Sequence, residues 1–560
     1  MQKKFTARDF DFEKYEPSFW ALNAWWMAPA AVFALTVALT VFSFPPSKAM
    51  AFAYVFAAPA CYWALTKPRF KTYALVMLAA QAVAWTIILA WLHHVTWGGL
   101  LLLGPFTGAW IGVWHLAVWR ALRDFVGRPF LVRVAIMLGL AALWVLIEWT
   151  RTWLLSGFPW LPLGASQWRN IAVLQIASFT GQGGISFMLI VFNFAFAAYM
   201  HRLFRERQSG MRRRSPEFSV ALLVLLFAVV PFLADVWVHK RPENVESYGR
   251  FGLVQPDIPQ SVKWSRENSD LSFDTLASLS IISSQMAADI IIWPEAAPPY
   301  AVHGWPDSDK LRAWLDEVAT KAKAPILTGI VTEDDAFYNA ACVVDPTRGG
   351  VQPGVYKKRH LVPFGEYVPL RPLLGWLEKV SDVSSGDTKA GTSAQPLFVR
   401  SGGKLFVAGM LICYEDIFPE LARANARMGA DVHVVVTNNG WFGEGGAAYQ
   451  HAAHSVLRAV ETRRPVIRCG NSGWSGWIDE YGVIRGEMTN RDGTIYFRGT
   501  DTFAVTRDKR WTSQQSFYVE HGDWFMGVCG VLVIFGCAMA RFYLPRNTTP
   551  PTYAETVPTE

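Results

Sequence analysis

What most constrains this chain is a succession of apolar runs, each about as long as a bilayer is thick. A hydrocarbon core of about 30 Å is crossed by a helix of about 20 residues. Seven such runs occupy residues 24–43, 50–66, 72–92, 97–119, 130–149, 173–199 and 218–238, and an eighth lies at 524–541. Only 17% of the 560 residues are charged while 52% are hydrophobic, a balance foreign to soluble enzymes. The sequence therefore predicts a multi-span helical membrane domain with about 8 transmembrane helices, seven of them within 24–240. The polar stretch 1–23 precedes the first run, which lacks a small-residue cleavage site, so that run reads as a retained anchor.

Loop charges give the orientation. Lys67, Arg69 and Lys71 follow the second run, and Arg120, Arg123 and Arg128 follow the fourth. Arg202, Arg205, Arg207, Arg212, Arg213 and Arg214 follow the sixth. The alternate loops hold only Lys48, then no Lys or Arg, then Arg151 with Arg169. Basic loops stay in the cytoplasm. The arm 1–23 is then cytoplasmic, and everything between the seventh and eighth runs lies outside. The net charge of +7 is explained by these loops, so nucleic acid is not an expected partner. Between the fifth and sixth runs, Glu148 to Trp168 is rich in Trp and Pro. By composition alone it is an interfacial aromatic belt before it is a loop lining an access route for a lipid head group.

From about residue 248 the texture changes. Short apolar runs alternate with amphipathic stretches near 270–287, 311–322, 418–428 and 450–462. Strand–helix alternation of this kind predicts a layered α/β domain over 248–510. The tail 542–560 is rich in Pro and Thr and is expected to be disordered. The six cysteines are scattered without a CxxC pair, so neither a disulfide framework nor a metal site is predicted.

Within the α/β part, one apolar run, Leu405 to Ile412, ends in Cys413-Tyr414-Glu415. A lone cysteine behind a strand is most often a small buried hydrophobe. Two other strand ends supply what a nucleophilic thiol needs, a base and a cation: Glu295 in DIIIWPE, and Lys357 or Lys358 in VYKKRHL. Glu295 would take the thiol proton and return it to a leaving group. The lysine would stabilise an oxyanion, with the backbone N–H after Cys413 as a second donor, and Glu366 would orient that lysine. Strand ends of this sort are expected to converge on one edge of the sheet. Alternation in extended backbone lets only one of the two lysines face the site, and spacing does not choose between them.

The ordered set WPE, Y-x-K-x-H-L and CYE resembles the nitrilase, or carbon–nitrogen hydrolase, superfamily. GFPWLPLG, VQPDIPQSVKW, HLVPFGEYVP, TNNGWFG and SFYVEHGDWF narrow the resemblance to its membrane-integrated branch, the apolipoprotein N-acyltransferases. It covers about 20–540. The resemblance selects Lys358 and implies that Glu295, Lys358 and Cys413 form a catalytic triad, with Trp264, Glu366, Tyr414 and Glu415 binding substrate or supporting it. It further implies an α/β nitrilase-like four-layer sandwich on the periplasmic side of a bacterial inner membrane. A phospholipid acyl donor and diacylglyceryl apolipoproteins as acceptors follow, with no cofactor. Cys469, in RCGNSG, departs from the Ala or Thr expected there. A membrane-tethered amidase or nitrilase acting on a small C–N substrate is the alternative, since the same triad would serve it.

Overall fold

The computed structural model describes residues 19–205, 215–239, 244–259, 263, 269–375, 388–401 and 403–543. The arm 1–18, Trp264, the tail from 544 and the basic residues Arg207, Arg212, Arg213 and Arg214 lie outside the described residues.

Six helices among the described residues are long and apolar enough to cross a membrane. They are Trp26–Ser43, Phe70–Ile88, Trp97–Leu122, Phe130–Thr150, Gln182–Phe204 and the stretch closing with the helix Trp524–Phe542. The protein is an integral membrane protein. A further helix covers Pro216–His239. Two expectations need correction. The second predicted span is a 3-10 turn, Met50–Tyr54, followed by a helix of 8 residues, Ala58–Leu65. Pro59 stands in its first turn, where a missing N–H is tolerated, and a helix that short cannot reach across a bilayer. The sixth predicted span begins late: 171–180 forms two single turns, and Gly181, at φ 68°, breaks the chain before the helix Gln182–Arg205. The closing helix packs on Phe130–Thr150, and the Arg128 guanidinium donates to the Ala540 and Tyr543 carbonyls at its end (2.5 and 2.8 Å).

The rest forms two six-stranded sheets. In chain order the strands are β1 (Val245–Gln255), β2 (Ile290–Ile292), β3 (Ile326–Glu333), β4 (Phe337–Asp345), β5 (Gly350–Lys357) and β6 (Leu397–Ser401). They continue as β7 (Lys404–Ile412), β8 (Val432–Thr437), β9 (Val466–Gly470), β10 (Gly476–Ile478), β11 (Ile484–Glu487) and β12 (Gly499–Asp508). One sheet runs β12-β1-β2-β3-β4-β5 and the other β11-β10-β9-β8-β7-β6. Strand alternation builds the layers. Ile290 and Ile292 join Met410, Ile412, Val434 and Val436 in the core between the sheets. Ile291 and Ile326 face away, onto the helices Ser269–Gln285 and Ser308–Ala322. Leu411 and Val435 pack outward against Pro419–Arg427 and Gly446–Thr462. The order helix–sheet–sheet–helix is the expected four-layer sandwich, with its first strand starting at Val245. The Cys469 thiol, 3.2 Å from the Val254 and Ile292 carbonyl oxygens, ties the two sheets at their centre.

The fourth layer is unusual. Between Ala447 and Thr462, every residue except Tyr449 is buried, including His451, His454, Arg458 and Glu461. It is sandwiched between β8–β9 and the membrane half, whose Trp160 and Leu161 come from the Trp-rich loop. That loop is therefore not an interfacial belt: Trp160 and Trp168 are buried, and only the tip 153–156 is exposed. Gln450 fastens the joint, accepting from Trp91 Nε1 and Trp160 Nε1 (3.0 and 2.9 Å) and donating to the Ile88 carbonyl.

Candidate active site

The predicted triad residues stand at the C-terminal ends of strands that run the same way. β2 and β3 are parallel, and β5, antiparallel to β4, points with them. β7, β8 and β9 are mutually parallel. Sequence alone placed the strand ends on one sheet edge; the structure puts Glu295 and Lys358 on one sheet and Cys413 on the other, facing across the gap. Strands of both sheets read alike as apolar runs, so sheet membership is invisible until the fold is formed.

Glu295 is delivered by a turn that leaves the ladder after β2. Trp293 still bonds Leu327, but Pro294 has no N–H to continue. The turn lies directly on Gly329 of β3, where a Cβ would come within 2.6 Å of the Glu295 Cα. Only glycine lets the two backbones approach so closely. Lys358 follows β5, its N–H held by the Asn339 carbonyl at 2.8 Å. Its ammonium is 1% exposed and donates to Glu366 (2.9 Å) and Glu295 (3.4 Å). Glu366 thus lies within hydrogen-bond reach of the lysine that it was expected to orient. Burial opposes the charge on Lys358, but Glu366 and Glu295 outweigh it and raise its pKa above the usual lysine value. Lys357 points the other way: it pairs with Asp334 at 2.7 Å and lies over the Tyr338 ring, so it is a paired charge rather than a freely solvated one.

Cys413 opens a 3-10 turn, Cys413–Ile417, with φ 51°. A left-handed backbone at a non-glycine residue is strained and persists only where the surroundings impose it. Here Glu415 imposes it. Its carboxylate is fully buried and accepts from the Ile412, Arg359 and His360 amides (2.7, 2.6 and 3.2 Å) and from the Tyr356 hydroxyl (2.9 and 2.8 Å). One side chain thereby clamps the lysine-bearing segment of one sheet to the cysteine turn of the other. Replacing Glu415 by Gln turns one acceptor oxygen into a donor among donors. We expect a loss of about 1–3 kcal/mol of stability, read by thermal melting in detergent, together with slower acylation. Tyr414 instead reaches the membrane half, its hydroxyl donating to the Gly157 carbonyl at 3.0 Å. Gly157, at φ 81°, is where the GFPW loop meets the catalytic turn, and a Cβ there would strike the Thr152 carbonyl.

Burial, then the Glu295 charge, push the Cys413 thiol up to about 12, against the opposing pull of Lys358, the Thr437 hydroxyl and the Asn438 amide. At neutral pH the resting thiol keeps its proton, so a base must remove it during attack. Several contributors escaped the sequence reading. Asn339 on β4 donates to both Glu295 (2.8 Å) and Glu366 (2.9 Å), holding the two carboxylates at fixed spacing. A lone asparagine inside the apolar strand FYNAACVV was the available signal. Lys263 is buried beside the triad, donates to the Glu295 carbonyl at 2.9 Å, and is brought down to about 8 by burial. Among the described residues no cluster of His, Cys, Asp or Glu is arranged to hold a metal ion.

Family models match both halves: carbon–nitrogen hydrolase over residues 251–519, and apolipoprotein N-acyltransferase N-terminal domain over 36–195. An apolipoprotein N-acyltransferase of Geobacter metallireducens is 31% identical over 523 residues, covering 90% of this chain and 94% of its own. The chain belongs to the apolipoprotein N-acyltransferase family. A relative of the same name from Methylococcus capsulatus is 31% identical over 440 residues, 76% of this chain and 79% of its own. Among solved structures, an amidase from Nesterenkonia sp. AN1, with the acetamide moiety of fluoroacetamide on its active-site cysteine, is similar over 50% of this chain and 97% of its own (19% identity, TM-score 0.36). Membership in this family makes the chain a membrane-integrated acyltransferase.

Proposed function

We propose that this protein N-acylates apolipoproteins, using Glu295, Lys358 and Cys413. The supporting observation is a buried carboxylate–ammonium cluster facing a strained thiol whose backbone is bolted to a membrane domain. Glu295 takes the Sγ proton as Cys413 attacks the ester carbonyl of a phospholipid. Lys358 and the backbone N–H after Cys413 stabilise the oxyanion. As the intermediate collapses, Glu295 gives the proton to the departing glycerol oxygen, leaving a lysophospholipid and a Cys413 thioester. The α-amino group of a diacylglyceryl-cysteine then attacks the thioester. Glu295 accepts the amine proton and passes it to the Cys413 sulfur, releasing an N-acylated lipoprotein and the resting thiol. Glu366 and Glu415 hold the lysine and the cysteine turn, and Tyr414 and Trp264 contribute on the substrate side. The alternative, an amidase for a small soluble substrate, would have no use for a catalytic helix layer buried in a membrane domain. The test is mass spectrometry of a lipoprotein N-terminus from cells with and without the protein. A third acyl chain present in both would refute the assignment.

The basic loops support a bacterial inner-membrane location with 248–510 on the periplasmic side. A cysteine in place of Asp309, whose side chain is 89% exposed, is expected to react with a membrane-impermeant maleimide in intact spheroplasts. Protection until lysis would reverse the orientation.

A further inference from the structure

The triad needs the Cys413 turn to stay in a conformation that an L-residue resists, and Glu415 holds it from one side only, through the Ile412 amide. The other side is the Cys413 carbonyl. Its partner is the His451 ring nitrogen Nε2, at 3.1 Å, from the buried helix Gly446–Thr462. A carbonyl only accepts, so Nε2 carries the proton. Asp416 Oδ1 lies 2.7 Å from the same nitrogen, and its charge keeps the proton there. Nδ1 lies 3.1 Å from the Asn439 carboxamide oxygen Oδ1. Asp416 is itself immobilised: its other oxygen accepts from Arg468 (2.5 Å) and Ser455 (2.6 Å), all of them buried. The imidazole also packs on Trp160 of the membrane-domain loop, ring centres 5.4 Å apart.

We propose that His451 is a positioning residue: it ties the Cys413 carbonyl to the buried Asp416–Arg468 pair and so holds the nucleophile in its left-handed backbone, with Trp160 as the backstop. This rests on Cys413 being the nucleophile and does not depend on which ester or amine is used. His451 bonds the Cys413 carbonyl, not its sulfur. Its loss should slow every step that needs the thiol aimed, and leave phospholipid binding alone. A left-handed non-glycine residue released from its restraints relaxes by about 1–3 kcal/mol, which corresponds to roughly tenfold or more in rate.

Glutamine and asparagine separate this role from simple core filling. A glutamine amide nitrogen reaches about where Nε2 stands, whereas that of asparagine stops near Nδ1 and leaves the Cys413 carbonyl unpaired. His451→Gln and His451→Asn would be made in the full-length protein in detergent–phospholipid micelles. Three quantities are read: the iodoacetamide alkylation rate at Cys413, resolved by peptide mass; the burst rate of acyl-enzyme; and the phospholipid KM. We expect H451Q to stay within about threefold of wild type and H451N to fall about tenfold or more in both rates with unchanged KM. Equal rates in the two variants would overturn the proposal, whether both stay active, both die, or both fail to fold. Slow alkylation in H451N combined with a normal burst would overturn it as well. Absence of any acyl-enzyme in wild type, with alkylation still split between the variants, would instead count against the ester-donor reading and leave the positioning role standing.

Discussion

Cys413→Ala is expected to yield a folded, inserted protein without turnover, while wild type incubated with phospholipid and no apolipoprotein accumulates one acyl chain on Cys413. The side chain lost is small and its backbone is restrained by Glu415 and His451 rather than by its sulfur, so little stability is at stake. Chemistry is lost entirely, because alanine has no sulfur to attack the ester or to carry the acyl group. Intact-protein mass decides the matter, with hydroxylamine to cleave a thioester. A wild type that never gains a hydroxylamine-labile acyl group would exclude covalent catalysis and with it the proposed ping-pong order.

The second large effect divides two neighbours. Lys358→Ala removes the ammonium that pairs with both carboxylates of the Glu295–Asn339–Glu366 cluster, leaving a buried and a partly buried carboxylate joined by one carboxamide. Breaking a buried pair from one side costs about 3–5 kcal/mol, and one carboxyl should respond by keeping a proton. If Glu295 keeps it, the base is lost along with the oxyanion partner. Acylation should fall at least a hundredfold when compared at equal folded protein, since a few kcal/mol of transition-state stabilisation disappear. Lys357→Ala breaks a partly exposed pair with Asp334 and the contact with Tyr338, together about 1 kcal/mol, and should acylate at nearly the wild-type rate. The comparison is made by thioester formation. A dead Lys357→Ala beside an active Lys358→Ala would mean that the site reads the chain one residue out of register.

Much of this was legible from residue order, for a physical reason. Hydropathy reports burial in lipid or core, and a polar residue directly after an apolar strand reports a strand end, so Glu295, Cys413 and the Lys357–Lys358 pair could be found one by one, while the resemblance chose Lys358. What residue order does not carry is which face of which sheet a strand meets. Cys413 therefore turned up opposite Glu295 rather than beside it. Pro59 within the second apolar run and Gly181 within the sixth marked where helices start, but mean hydropathy averages over such interruptions. His451 and Asp416 were hidden more deeply. Gly446–Thr462 has the hydrophobic periodicity of a half-solvated helix, and only the packing of Trp160 against it turns its polar face into an interior.

That fully enclosed helix has a bearing on how the enzyme can be handled. A water-soluble fragment beginning at Val245 would bare Arg458, Glu461, His454 and an alanine-rich surface that the intact chain never shows to solvent. Gln182, whose backbone N–H donates to Glu461 and whose side-chain oxygen accepts from Arg458, and Gln175, which accepts from Arg463, would be gone with the membrane half. Cleavage between the two halves should thus yield neither a free hydrolase nor an empty anchor, but aggregation of the catalytic part. For screening inhibitors or solving further structures, the smallest useful unit is the whole polytopic protein in a lipid mimic.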